Sequence, residues 1–170
     1  MNHHVSAQQL IAHYGLQPHP EGGWYRELHR SHQAVRRADG QQRSGLTAIL
    51  FLLDTGALSR WHRVCNADET WHFAGGDPLE LLLLPPAGGT PQRRCLAPVT
   101  IGPTWSASEG AASPEPLVVV PAGWWQAARS FGAWTMVSCC VGPGFDFADF
   151  SLLRDWPAEQ RPAGADAAFL

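Results

Sequence analysis

Two ordered stretches of this chain carry side chains able to do chemistry. The first runs Gly56-Ala57-Leu58-Ser59-Arg60-Trp61-His62-Arg63-Val64, continues to Asp68-Glu69 and closes at Gly75-Gly76. The second is Pro121-Ala122-Gly123-Trp124-Trp125-Gln126, ending at Ser130. An imidazole and a carboxyl that share a pocket can pass protons to and from a bound molecule. Other chemistries are excluded. All 12 positively charged side chains are arginine, so the chain forms no Schiff base and no lysine-linked pyridoxal. It has no G-x-x-x-x-G-K-[ST] phosphate loop and no G-x-S-x-G nucleophile turn. No nucleotide cofactor is indicated. Cys65, Cys95, Cys139 and Cys140 make no C-x-x-C pair, and neighbours 139 and 140 would face opposite sides of a strand. They read as reduced structural thiols of a cytoplasmic protein.

The elements that must position these groups read as short strands. The 170 residues fit one domain, with a core over about 13–153 and a C-terminal tail over 154–170. Apolar residues at 45% and charged residues at 16% exclude a disordered chain and a charged coiled coil. Gly 17 and Pro 14 supply many turns. Ser6 to His13 reads as a short capped helix, and Pro18 to Gly23 as a loop. Strands are expected at Trp24–Arg30, Leu46–Leu53, Ser59–Val64, Thr70–Phe73, Leu79–Leu84, Arg93–Ile101, Leu117–Val120, Trp124–Ser130 and Thr135–Val141. Residues 36–44 read as an exposed connection, and Phe145–Leu153 as a last strand or short helix. This texture predicts an all-β sandwich or small barrel. A net charge of -3 argues against nucleic acid and anionic membranes as partners. The N-terminal MNHHVSAQQL shows no secretory signal, and no apolar run is long enough to span a bilayer.

The first stretch resembles the first motif of the cupin superfamily, G-x5-H-x-H-x4-E-x6-G. The second echoes its second motif, P-x-G-x2-H-x3-N. Within the superfamily the chain resembles the cupin 5 family, domain of unknown function 985. The likeness rests on Pro20-Glu21-Gly22-Gly23-Trp24-Tyr25-Arg26, Ser59-Arg60-Trp61-His62-Arg63, Asp68-Glu69-Thr70-Trp71-His72-Phe73-Ala74-Gly75-Gly76, Val120-Pro121-Ala122-Gly123 and 141–150. It covers the chain roughly from His13 to Leu153. Departures fall at the ligand positions. Val64 stands where the first motif has its second His, Gln126 where the second has its His, and Ser130 where it has Asn. The resemblance implies a cupin jelly-roll barrel (a double-stranded β-helix) with a short N-terminal helix. It also implies a homodimer and a pocket at one end that takes a small molecule.

Of the superfamily's metal-binding set, the resemblance leaves His62, Glu69 and Gln126 with ligand atoms. One imidazole, one carboxylate and one amide make a weaker and harder set for a divalent ion than three imidazoles. Alternation puts Glu69, Trp71 and Phe73 on one face and His72 on the other, so His72 is a poor fourth ligand. Three readings of His62 and Glu69 stay open. They hold a metal with Gln126 and water, they form a metal-free acid/base pair, or they hydrogen-bond a ligand without catalysis. The first two suit an isomerase or epimerase acting on a polar compound, the third a small-molecule-binding module. Glu21, Tyr25, Arg26, Arg60, Trp71 and Gln126 are candidate substrate contacts. Arg26 could clamp an anion in bidentate fashion, and Arg60 has the strand parity of His62. Asp68 and Asp146 read as turn-shaping residues. His3, His4, His13, His19, His29 and His32 show no ligand spacing and read as exposed or locally bonded.

Overall fold

The computed structural model describes residues 5–98 and 113–170. Among the described residues one α-helix, α1 (Ala7–Tyr14), precedes fourteen strands. They are β1 (Gln17–Pro18), β2 (Trp24–Arg30), β3 (Ala34–Arg36), β4 (Gln42–Ser44), β5 (Thr47–Asp54), β6 (Leu58–Val64) and β7 (Asp68–Gly76). The rest are β8 (Leu79–Leu84), β9 (Gln92–Leu96), β10 (Pro114–Glu115), β11 (Leu117–Val120), β12 (Trp125–Ser130), β13 (Trp134–Gly142) and β14 (Phe150–Leu152). Two six-stranded sheets form, ordered β1-β2-β5-β13-β7-β11 and β10-β9-β8-β12-β6-β14. From β5 to β8 and again from β11 to β14 consecutive strands alternate between the two sheets, as in the jelly roll that the resemblance implies. The helix lies one residue from its expected place. Ser6 caps it and Gln9 closes the capping box. The part of the expected Arg93–Ile101 strand beyond position 98, and His3 and His4, lie outside the described residues.

The inner faces of the sheets meet in one core that includes Phe51, Leu53, Trp71, Leu79, Leu81, Leu83 and Val137. Strand β8, Leu-Glu-Leu-Leu-Leu-Leu, is buried at every position. Its odd-numbered leucines face this core, while Leu82 and Leu84 face the other way. There they meet Trp61, Trp125 and Phe169, so the C-terminal segment covers the back of the second sheet. Each such leucine contributes roughly 1.5–3 kcal/mol by leaving water. On the back of the first sheet α1 packs Ala7 against Leu52 and Met136.

Three local devices set the site. The first is a β-bulge in β6, where Gln126 pairs with His62 but Ala128 pairs with Ser59. The extra residue breaks strict alternation, so Ser59 and His62 both turn inward. The second is the β3–β4 hairpin, in the segment expected to be a plain exposed connection. Arg37 and Arg43 each place two N–H groups on the Asp149 carboxylate, at 2.7 and 3.1 Å. This fixes the segment after β13 that carries Phe145, Phe147 and Phe150. Phe145–Leu153 is neither wholly strand nor helix: a 3-10 turn at Phe147–Asp149 leads into β14.

The third device is the close approach of the loop at Gly22 to β6. Gly22 has φ +109°, and a Cβ there would stand 2.1 Å from the Leu58 carbonyl. The Arg60 amide bonds the Glu21 carbonyl at 2.9 Å, which holds the loop against the strand. A side chain at 22 must push the loop, and Glu21 with it, off β6. Gly22→Ala is expected to lose roughly 2 kcal/mol or more of stability in denaturant unfolding. Gly40→Ala is the control: its φ is also positive at +84°, but the space around it is open. It should cost only about 1 kcal/mol.

Candidate functional site

A cavity of about 330 Å³ opens at one end of the barrel, and His19, Glu21, Tyr25, His62, Glu69 and Trp71 are among its lining residues. At its inner end sits Glu21, 5% exposed. Its Oε1 accepts from the Ser59 hydroxyl at 2.8 Å. Its Oε2 lies 3.2 Å from His62 Nε2 and 3.2 Å from His19 Nδ1. His62 is 2% exposed, and its Nδ1 lies 2.8 Å from the Arg60 carbonyl. A carbonyl oxygen only accepts, so Nδ1 carries a hydrogen and Nε2 is the nitrogen that titrates. The bulge that turns His62 inward therefore also sets its tautomer.

The second carboxyl is held differently. Trp71 Nε1 donates to Gln126 Oε1 at 2.8 Å. Since an indole N–H only donates, the amide must offer its NH₂ to the other side. Gln126 Nε2 donates to Glu69 Oε2 at 2.6 Å. The three residues form a chain from β7 to β12 and back, buried throughout.

Electrostatics separates the two carboxyls. Burial pushes Glu69 up, the nearby Glu21 carboxylate adds to this, and the bonds from Gln126 and Cys139 only partly oppose it. The Glu69 carboxyl is raised to about 8. Burial acts on Glu21 in the same sense, but the facing His62, the bonds to His19 and Ser59 and the charge of His19 outweigh it. Glu21 is held below the usual carboxylate range. Burial lowers His62, against the pull of Glu21 and the Arg60 carbonyl. Near neutral pH the two buried carboxyls therefore differ, Glu69 neutral and Glu21 ionised.

Several expected contacts move. Arg26 does not line the cavity: alternation turns Tyr25 and Glu27 inward, and Arg26 Nη1 bonds the Tyr14 carbonyl at the end of α1. Arg60 loses the parity of His62 at the bulge, and its guanidinium rests on the Glu21 carbonyl. No anion clamp forms from either. His72 lies on the outer side, bonded to Thr70 at 2.9 Å, as alternation requires. Gln126 is buried behind Glu69 and touches no cavity surface. Asp146 and Asp68 hold backbone amides, of Ala148 and Ala122.

The metal set fails on the same geometry. Gln126 spends its oxygen on Trp71 and its nitrogen on Glu69, Val64 is an apolar wall, and Glu69 favours its neutral form. Among the described residues no group of three His, Cys, Asp or Glu side chains is arranged to hold a metal ion. The donor set does not fit a divalent ion.

Sequence reasoning missed His19 and Ser59. His19 was set aside for lack of ligand spacing, but its place two residues before Glu21 was the available signal. The pair shares a loop, and the Glu21 amide lies 3.4 Å from His19 Nδ1.

A carboxyl whose folded value lies above its unfolded one favours folding most at low pH. That contribution is full below 4.5 and fades as pH rises toward about 8. Wild type should therefore lose melting temperature across this window by an amount absent in Glu69→Gln. A protonated-carboxyl infrared band at neutral pH, missing in the variant, checks the same assignment.

Comparison with known proteins agrees with this architecture. The model of the family described as Cupin superfamily (DUF985) matches residues 8–153. The crystal structure of protein SO0799 from Shewanella oneidensis is 32% identical, covering 88% of this chain and 85% of that one, with a TM-score of 0.73. A hypothetical protein from Leishmania major is 29% identical over 86% of each chain, with a TM-score of 0.72. Oxalate decarboxylase from Bacillus subtilis shares the fold at 16% identity and TM-score 0.54, covering 82% of this chain and 30% of that one. The search of curated proteins gave no match. With its barrel, its motif spacing and a family match over most of its length, the chain belongs to the DUF985 family of the cupin superfamily.

Proposed function

We propose that this protein is a metal-free acid–base catalyst that moves a proton within a small bound molecule, as an isomerase or epimerase does. The observation that supports this reading is the splitting of two buried carboxyls in one cavity, with Glu69 raised to about 8 and Glu21 held low. A neutral carboxyl can give a proton. An ionised carboxylate backed by an imidazole can receive one, because the proton is then shared with the ring nitrogen that faces it.

In this scheme Glu69 donates to a basic atom of the substrate, and Gln126, fixed by Trp71, holds the carboxyl in place. The ionised Glu21 takes the proton from a neighbouring carbon and shares it with His62 Nε2, 3.2 Å away. His19 and Ser59 keep Glu21 oriented. Glu21, His62 and Glu69 are all buried, so the donor and acceptor work where their charges are poorly screened.

The test begins with a thermal-shift screen of sugars, amines and cyclic carbonyl compounds, followed by a time course on each stabilising compound. Turnover should fall by about 10²–10⁴ in Glu69→Gln and in His62→Gln, while both variants still bind the compound. Solvent deuterium should enter the product at the carbon that loses its proton. A compound that binds tightly, is never converted and exchanges no deuterium would make the protein a binding module instead.

A further inference from the structure

We propose that the cavity recognises an organic cation: a planar or compact molecule with an amine, amidine or similarly charged nitrogen. The assignment deepens the acid–base reading, since it names the substrate class of that same cavity.

Two features carry it. The first is the wall. Tyr25, Phe51, Trp71, Phe145, Phe147 and Phe150 all line the cavity. Their rings are linked in an almost continuous series. Phe51 meets Trp71 at 5.7 Å between centroids, and Phe147 meets Phe145 at 5.0 Å and Phe150 at 6.0 Å. His19 bridges the two groups, edge-on to Tyr25 at 4.7 Å and stacked on Phe147 at 6.1 Å. Aromatic faces attract a cation within about 6 Å of the ring centre, most strongly where water is excluded.

The second feature is charge. The lining holds the carboxyl groups of Glu21, Glu27, Glu69 and Asp146 against one guanidinium, that of Arg30. Arg30 is already engaged. Its Nε and Nη2 bind Glu27 at 3.0 and 2.7 Å, and its Nη1 binds the Phe145 carbonyl at 3.0 Å. The arginines that could have received an anion, Arg26 and Arg60, bond backbone carbonyls elsewhere. The two imidazoles at the inner end already face Glu21. A carboxylate or phosphate entering here would meet like charge in a poorly screened space with no free partner, whereas a cation would meet carboxyl oxygens and ring faces.

Three planar probes of nearly equal size separate the possibilities: benzamidine, benzamide and benzoate, titrated near neutral pH and followed by NMR shifts of the cavity residues. Benzamidine should bind at least roughly ten-fold more tightly than benzamide, and benzoate most weakly. Phe147 is 53% exposed, so Phe147→Leu leaves the core intact while removing a ring face. It should erase several-fold of the benzamidine preference and leave benzamide within about two-fold of wild type. Benzamide or benzoate binding as tightly as benzamidine would overturn the assignment. So would a benzamidine preference untouched by Phe147→Leu, or no binding of benzamidine at the cavity. None of these results bears on the titration of Glu69 in the ligand-free protein, so a failure here is distinct from a failure of the acid–base reading.

Discussion

A buried negative charge at Glu21 is the constraint around which the open end of this barrel is arranged. A carboxylate so far from water is tolerated only when it is fully partnered. Here the partners are two imidazoles and a hydroxyl drawn from a loop and from a bulged strand. Once that charge is in place, a second one nearby becomes costly, and Glu69 is the group that gives way. The donor and the acceptor of the proposed proton transfer are therefore consequences of one electrostatic fact. Gln126 completes the division. By turning its NH₂ toward Glu69 it satisfies one carboxyl oxygen and leaves the other to carry the proton.

Holding that charge demands backbone that ordinary strands do not provide. A regular β6 could not turn both Ser59 and His62 inward, because residues three apart face opposite sides of a flat strand. The bulge supplies the missing half-step. It also leaves the Arg60 carbonyl at His62 Nδ1, so the same irregularity that aims the ring selects its tautomer. On the other side, Gly22 lets the loop sit directly on β6, closer than any side chain allows. The core beneath is conventional by contrast, with leucines from β8 filling both sides of their sheet.

Much of this was legible from residue order. Gly and Pro punctuation locates most strands within a residue or two, but Tyr25 and Arg26, both expected as substrate contacts, fall on opposite faces of β2 and only Tyr25 lines the cavity. The cupin-like motif implies a pocket around His62 and Glu69, and both side chains line the cavity while His72 does not. What failed did so for physical reasons. Arg60 was assigned by strict alternation, which a bulge interrupts without a distinctive residue to announce it. The segment 36–44 reads as a plain exposed connection, yet Arg37 and Arg43 converge on Asp149, more than a hundred residues downstream, a pairing invisible to local pattern. Gln126 was a plausible ligand by position, but its two polar atoms were already committed to neighbours that only the folded chain brings near.

The loss of the metal set and the gain of the Glu21 cluster are two sides of one change. A metal centre needs several unprotonated donors, held together by the positive charge of the ion. Here Val64 and Gln126 remove two imidazoles from that set, and no ion is required to offset the remaining carboxyl, because Glu69 can be neutral. The Glu21 carboxylate is instead met by the His62 and His19 rings and the Ser59 hydroxyl. The rim follows the same logic. With Arg30 tied to Glu27 and the Phe145 carbonyl, and with Phe147 and Phe150 held by the anchored Asp149, the entrance has ring faces and carboxylates but, among the described residues, no free guanidinium. On the proposed reading, a few side chains at one end thereby turn a barrel of shared shape toward proton chemistry on a ligand that brings its own positive charge.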